Sequence, residues 1–168
     1  MPRNVEIKAR LADLGAARAI AERVGARFTW ADDQVDRYYE LDGGRRLKLR
    51  TTGRGAELIR YDRSESAAVR VSAYEVSPVR DAEAEACLVP KTRPLVTVRK
   101  RRELWLVDNV RIHLDMVEGL GTFLELEAVV DATHDEARCR AAVDRLLVAF
   151  GLSEAACLRA SYSDLLRA

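Results

Sequence analysis

Acidic and basic side chains recur at every second position in five separate stretches of this chain. RNVEIKAR (3–10) puts Asn4, Glu6, Lys8 and Arg10 on one side and Val5, Ile7 and Ala9 on the other. RLKLR (46–50) offers Arg46, Lys48 and Arg50 against Leu47 and Leu49. TVRKRREL (97–104) presents Lys100 and Arg102, or Arg99 and Arg101 in the alternate register. NVRIHLD supplies Arg111, His113 and Asp115, and FLELEA supplies Glu125 and Glu127 opposite Leu124 and Leu126. A period of two belongs to a β-strand with two unlike faces. The charges are also sorted, with acids on the last stretch, bases on the middle ones and both on the first. Such sorting suits a polyanion held by Arg and Lys beside a carboxylate cluster carrying a divalent cation. Arg meets phosphate oxygens in pairs and Lys acts as a point charge. Mg²⁺ and Mn²⁺ take oxygen ligands and couple a few carboxylates to substrate phosphates. Outward ladders of solvated charges would explain the same pattern, each cross-strand pair contributing less than about 1 kcal/mol. On pattern alone the two accounts stand level.

The elements that carry these stretches can be read in order. The first strand is followed by an Ala-rich helix over 12–27, with Asp13 as N-cap and Gly25 as its stop. FTWADDQVDRYYEL (28–41) reads as extended and broken near Ala31–Asp33, and Gly43–Gly44 turn the chain into RRLKLRTT. Gly53 and Gly55 mark a further turn before AELIRYDRS, and AVRVSAYEVSPV is a strand ending at Pro78. Residues 81–89 read as a short helix. Extended segments over 94–107, 109–119 and 121–130 follow nearly back to back, joined at Asp108–Asn109 and Gly119–Leu120–Gly121, which is hairpin chemistry. An amphipathic helix over 134–150 stops at Gly151, and SYSDLLRA forms a short helical tail. Strands joined by short turns pair antiparallel. The expected fold is α+β: eight antiparallel strands curling into a barrel or tunnel, with flanking helices, in one domain over 1–168. Charges on an inward face would require that interior to be hydrated.

Bulk properties narrow the field. At 168 residues and a net charge of +1 the chain has no global attraction for nucleic acid or anionic membrane, so neither is expected as a partner. No apolar run reaches the roughly 20 residues of a membrane span, and no secretory leader is evident. Cys87, Cys139 and Cys157 are odd in number and share no CxxC spacing, which suggests small buried residues in a reducing, cytoplasmic compartment. A homodimer is compatible with all of this.

NVEIKARL resembles the E-x-E-x-K signature of the CYTH superfamily, the triphosphate tunnel metalloenzymes. GRRLKLR, VRKRREL, NVRIHLD and VEGLGTFLELE resemble that superfamily's later strand motifs in the same order. The resemblance implies an eight-stranded antiparallel tunnel that binds a triphosphate (ATP, tripolyphosphate or thiamine triphosphate) with Mg²⁺ or Mn²⁺. It further implies Glu6, Glu125 and Glu127 as metal ligands with Asp115 beside them. Phosphate contacts would fall to Lys8, Lys48, Arg50, Lys100, Arg102 and Arg111, joined by Arg63 in preference to Arg60. His113 would contact substrate, and catalysis would rest on Glu6, Lys8 and Asp115. The chain looks most similar to bacterial class IV adenylyl cyclase-like proteins, which turn ATP into cyclic AMP and pyrophosphate; the alternative is a triphosphatase. Tyr38, Tyr39 and Tyr74 are candidates to stack on a base. One position departs from the pattern: Asn4 stands where the signature has its first acid, and it brings a carbonyl oxygen but no charge and no base. That departure favours a third reading, a nucleotide- or polyphosphate-binding module without turnover.

Overall fold

Eight strands close on themselves in a computed structural model that describes residues 3–40, 46–61, 70–80 and 92–168, with the backbone alone for residues 61 and 70–74. The strands are β1 (Arg3–Arg10), β2 (Arg27–Glu40), β3 (Arg46–Thr52), β4 (Gly55–Tyr61), β5 (Arg70–Val79), β6 (Arg93–Val107), β7 (Val110–Val117) and β8 (Gly121–Val130). Their order around the barrel is β1-β5-β4-β3-β2-β6-β7-β8, and β1 pairs with β8 to complete it. Every pairing is antiparallel.

The apolar core lies outside this barrel. Val5 and Ile7 of β1, Ile112 and Leu114 of β7, and Leu124 and Leu126 of β8 turn outward and are almost fully buried. They are covered by α1 (Leu14–Arg23), through Ala17 and Ala21, and by α2 (Glu136–Ala149), through Cys139, Val143 and Leu147. Small residues on α1 let that helix lie close to the strands. Each buried Leu, Ile or Val contributes roughly 1.5–3 kcal/mol, so the outer layer carries the fold and frees the inner face for charge. A third helix, α3 (Tyr162–Leu165), lies in a C-terminal segment whose Tyr162, Leu158, Leu165 and Leu166 pack with Tyr38, Val98, Val117 and Phe123.

Local signals in the sequence explain the boundaries. Asp13 caps α1 by accepting from Ala16 N at 2.7 Å, and Asp135 caps α2 by accepting from Arg138 N at 2.8 Å. α3, only four residues long, is held by a capping box in which Ser161 and Asp164 exchange bonds. The β7–β8 hairpin needs Gly119 and Gly121, whose φ angles of 78° and 100° admit no ordinary side chain without strain. Against expectation, β2 runs unbroken through Ala31–Asp33. Asp33 sits opposite Arg101 of β6, whose Nη1 donates to its Oδ1 at 3.2 Å, and Asp32 Oδ2 lies 3.3 Å from Arg54 Nη2, so both acids have a cationic partner within a continuous strand. The irregularities fall instead between Phe28 and Trp30 and between Tyr38 and Tyr39. Pro78 does not end β5, which continues to Val79. The helix expected over 81–89, with Cys87, lies outside the described residues; Cys139 is buried and Cys157 half-buried, both as free thiols. Among the described residues no helix is long and apolar enough to cross a membrane.

Candidate active site

Because strand faces alternate, closing the barrel with its apolar face outward points every second polar side chain inward. The result is a cavity of about 740 Å³. It is lined by Asn4, Glu6 and Lys8 from β1, Lys48 and Arg50 from β3, Lys100 and Arg102 from β6, Arg111 and His113 from β7, and Glu125 and Glu127 from β8. The register question on β6 is thereby answered: Lys100 and Arg102 are buried inside, whereas Arg99 and Arg101 are exposed outside. Not every same-face residue joins the lining. Arg10 is exposed and donates to Leu120 O at 2.9 Å, and Arg46 is taken up by Asp164 at 2.8 Å.

The basic wall is organised by two carboxylates with no exposure at all, Asp36 and Asp115. Arg50 donates to both Asp36 oxygens, Nε to Oδ1 at 2.7 Å and Nη2 to Oδ2 at 2.8 Å. Lys100 and Lys48 approach Asp36 Oδ2 at 3.6 and 3.7 Å. Arg102 clamps Asp115 in the same way, at 2.7 and 2.6 Å, and its Nη2 also donates to Glu125 Oε2 at 2.8 Å. Tyr162 OH donates to Asp115 Oδ2 at 2.8 Å. Burial opposes ionisation of Asp36, but Arg50, Lys48 and Lys100 outweigh it and hold the carboxyl well below its usual range. Asp115 is likewise held down, with burial overcome by Arg102 and Lys100. The lysines go the other way. Burial, then Arg102, pulls Lys100 down to about 7; burial, then Arg50, pulls Lys48 down to about 8. These cations are short of negative charge, which is what a bound polyanion would supply.

The opposite wall is acidic. In the strand register Glu6, Glu127 and Arg111 are neighbours, as are Lys8, Glu125 and His113. His113, Glu125 and Glu127 each bring a ligand atom within 4.8 Å of the others. Burial, then the nearby Glu125 and Glu6, raises the Glu127 carboxyl above its ordinary range, whereas Lys8 and Arg102 overcome burial to hold Glu125 low. Burial, then Arg102, keeps the His113 imidazole well below its ordinary value and therefore neutral. Two buried polar atoms here have no hydrogen-bond partner, Asn4 Oδ1 and His113 Nδ1. Leaving such an atom unpaired costs about 1–3 kcal/mol. Oxygen and nitrogen donors converging with unmet capacity fit a bound divalent cation.

The strand directions define two ends. At the end where β1, β2, β4 and β7 begin, the rim of the cavity is mixed: Trp30, Ala56, Pro78 and Leu104 stand beside Thr52, Glu57 and Arg54, the last stacked 4.6 Å from the Trp30 ring. At the other end Ser161 and Tyr162 enter the lining, with Lys8 lying 4.0 Å from the Tyr162 ring centroid.

Most residues singled out in the sequence are gathered in this one cavity, with three differences. Asp115 is committed to Arg102 and Tyr162 behind the wall, not among the lining residues. Arg60 is exposed on the outer face of β4, and Arg63 lies outside the described residues. Of the tyrosines proposed to stack on a base, Tyr38 lines the cavity, Tyr39 packs outside against Leu47 and Leu49, and the Tyr74 side chain lies outside the described residues. Sequence reasoning missed Asp36, Trp30 and Tyr162. Asp36 was within reach, because Gln34, Asp36 and Tyr38 continue the alternation of β2. Trp30 is hidden by the irregularity beside Phe28, and nothing local in SYSDLL marks Tyr162.

Comparison with known proteins agrees with this geometry. The CYTH domain family matches residues 2–159, and the chain belongs to that family. The family binds triphosphates with divalent metal ions. A protein of Methanocaldococcus jannaschii named "putative adenylate cyclase" is 32% identical over 68 residues, 40% of this chain and only 39% of that protein's length. Among solved structures, a Pyrococcus horikoshii protein superposes with a TM-score of 0.85 at 21% identity, covering 96% of this chain and 98% of its own. A "putative adenylate cyclase" of Vibrio parahaemolyticus follows at 0.78 and 22%, with 98% of each chain covered. A Hippeastrum protein described as having a dominant triphosphatase activity gives 0.68 and 16%, over 98% of this chain and 95% of that one. At these identities the likeness is one of fold.

Proposed function

We propose that this chain is a divalent-metal-dependent enzyme acting on an organic triphosphate, with conversion of ATP to cyclic AMP and pyrophosphate as the leading reaction. The observation that carries this reading is the segregation of charge inside one closed barrel, bases on one wall and a carboxylate cluster on the other. Lys48, Arg50, Lys100 and Arg102 would grip phosphate oxygens, with Lys8 and Arg111 reaching from the acidic side. Arg63 keeps its expected place in this group. Asp36 and Asp115 would set the two arginines before substrate arrives, so that little reorganisation is needed. Glu6, Glu125 and Glu127 would hold Mg²⁺ or Mn²⁺. The cation, when bound, neutralises charge on the phosphate under attack.

The rim supports an organic group on the triphosphate. Trp30 and Leu104 are paired neighbours on β2 and β6, and Leu104 is paired with His113 on β7. A base resting against Trp30 would bring the adjacent phosphate level with the acidic cluster and run the outer phosphates toward Lys100 and Arg50. That favours attack at the α-phosphorus: the ribose 3′ hydroxyl oxygen would bond to it while its proton passes to a carboxylate of the acidic wall, the bridge to the β-phosphate would break, and pyrophosphate would leave. The second reading is hydrolysis of tripolyphosphate, thiamine triphosphate or a nucleoside triphosphate. It is favoured by the Hippeastrum neighbour and by a basic wall that needs no organic group. It requires only that the phosphates shift by one place.

The test is product analysis with Mg²⁺ or Mn²⁺ on ATP, tripolyphosphate and thiamine triphosphate, beside Glu125→Ala/Glu127→Ala. Cyclic AMP and pyrophosphate, both lost in the variant, are expected. Orthophosphate release selects the second reading. Absence of turnover together with a tripolyphosphate-raised melting temperature selects a binding module, which is the outcome Asn4 favours.

A further inference from the structure

We propose that His113 is a nitrogen ligand to the tunnel cation, and that it tilts the site away from Mg²⁺ toward first-row transition dications, for which Mn²⁺ serves as the spectroscopic probe. Three observations converge on it. The imidazole is 5% exposed, lines the cavity, and has an Nδ1 without a hydrogen-bond partner. That same Nδ1 faces Glu127 Oε1 at 3.8 Å, too far for a hydrogen bond; ligands bonded at about 2.1 Å to one ion stand roughly 3.0–3.4 Å apart, so a cation would draw the two together by a few tenths of an ångström. Its partner across the β7–β8 ladder is Glu125, so the strand register itself holds the imidazole beside both carboxylates. Asn4 Oδ1 and Gln34 Oε1 are two further unpartnered atoms in the same cavity, both carbonyl oxygens without charge, and Asn4 is the one on β1 beside the acidic cluster.

The donor set decides the metal class. Mg²⁺ prefers an all-oxygen octahedron and gives up its waters reluctantly, whereas imidazole suits Fe, Ni, Cu and Zn; Mn²⁺ shares much of the oxygen preference of Mg²⁺ and stands at the weak end of the first-row series. Asn4 on β1 brings a carbonyl oxygen without charge, a weaker claim on a hard cation than a carboxylate would make. An imidazole on β7 adds a ligand of the softer kind. The inference rests on the reading of this cavity as a metal site, and the experiment separates the two.

The chain contains two histidines, His113 and His134, and His134 lies outside the cavity against Asp131. Mn²⁺ bound to the purified protein, with and without tripolyphosphate, is followed by electron spin-echo spectroscopy. Expected are ¹⁴N modulations from a directly bound imidazole, lost on ¹⁵N-histidine labelling and retained in His134→Asn. Labelling the unmodified chain keeps the test independent of whether a variant folds. In His113→Ala the modulation vanishes, and Mn²⁺ affinity falls about tenfold or more, the scale on which even outer partners of metal ligands act. The excess of Mg²⁺ needed to displace Mn²⁺ falls with it. Bound Mn²⁺ with no histidine nitrogen signal overturns the role of His113 and leaves the metal site standing. No Mn²⁺ bound under either condition overturns both.

Discussion

Binding of tripolyphosphate at pH 8 is expected to draw protons from solution, because two lysines in the empty cavity are partly uncharged there. With Lys100 at about 7, only ~0.1 of it is protonated at pH 8; with Lys48 at about 8, half of it is. A polyanion seated against both restores their charge, so they take up ~0.9 and ~0.5 proton, ~1.4 together. At pH 6 both are already charged and the same sum gives only ~0.1. The ligand's own protons also move, so the informative quantity is a difference between two proteins. Lys100→Gln removes ~0.9 of the uptake at pH 8 and almost none at pH 6. Lys48 is governed by its own burial and by Arg50 and Asp36, so its share survives the substitution.

The assay is titration calorimetry with tripolyphosphate in metal-free buffers of differing ionisation enthalpy. The slope of observed heat against that enthalpy counts protons directly. Equal slopes for the two proteins at pH 8 would mean that Lys100 is already charged in the empty barrel. The claim that burial and Arg102 outweigh Asp36 and Asp115 at that position would then be wrong.

Other consequences follow from the same charges. Asp36→Asn strips the counter-charge from Arg50, Lys48 and Lys100; it should destabilise the empty protein by about 3–5 kcal/mol in a denaturant melt, with tripolyphosphate restoring part of the loss. Acid should unfold the protein steeply. Asp36, Asp115 and Glu125 are all held below their ordinary range, so the stability they contribute is complete above about pH 4 and lost as pH falls through their folded values. Each contributes at most about 1.4 kcal/mol per pH unit, and a melting temperature flat from pH 5 to pH 2 would contradict it. Trp30→Ala should weaken ATP by about tenfold or more relative to tripolyphosphate, on the usual scale of base stacking. Equal weakening of both ligands would place the base elsewhere.

How far the sequence discloses this protein depends on the range over which each signal acts. Alternation is local, and it located β1, β3, β7 and β8 together with the shared polar face of Glu6, Lys8, Lys48, Arg50, Glu125 and Glu127. It could not say whether that face met water or a cavity, because orientation is decided by which elements cover the other face. The Ala17 and Ala21 side of α1 and the Cys139–Val143–Leu147 side of α2 decide it here. The β6 register was ambiguous for the same reason, since KRR offers a base to either face. Asp32 and Asp33 look like a turn when taken alone and become strand only when β6 pairs alongside, with Arg101 meeting Asp33 and Arg54 meeting Asp32. Tyr162 reaches Asp115 across 47 residues of chain, a contact that no local pattern announces.

An inside-out barrel also explains why a functional site of this kind can exist at all. In an ordinary small barrel the interior is the core, and buried lysines without partners would unfold it. Here the outer layer under α1 and α2 carries the apolar burial, so the interior is free to hold charge that is only partly compensated. The compensation is uneven: Arg50 and Arg102 are each paired with a buried carboxylate, while Lys48 and Lys100 are left shifted toward neutrality. On the proposed reading the rigid arginines would give the phosphate chain its direction, while the under-compensated lysines would make binding weaken as pH rises past their lowered values, because a proton must accompany the anion. The same division holds on the acidic wall. Lys8 and Arg102 keep Glu125 ionised, while Glu127, His113 and Asn4 keep unmet capacity that a cation can fill. Anion and cation therefore each relieve a cost built into the empty barrel, and each should raise the affinity for the other.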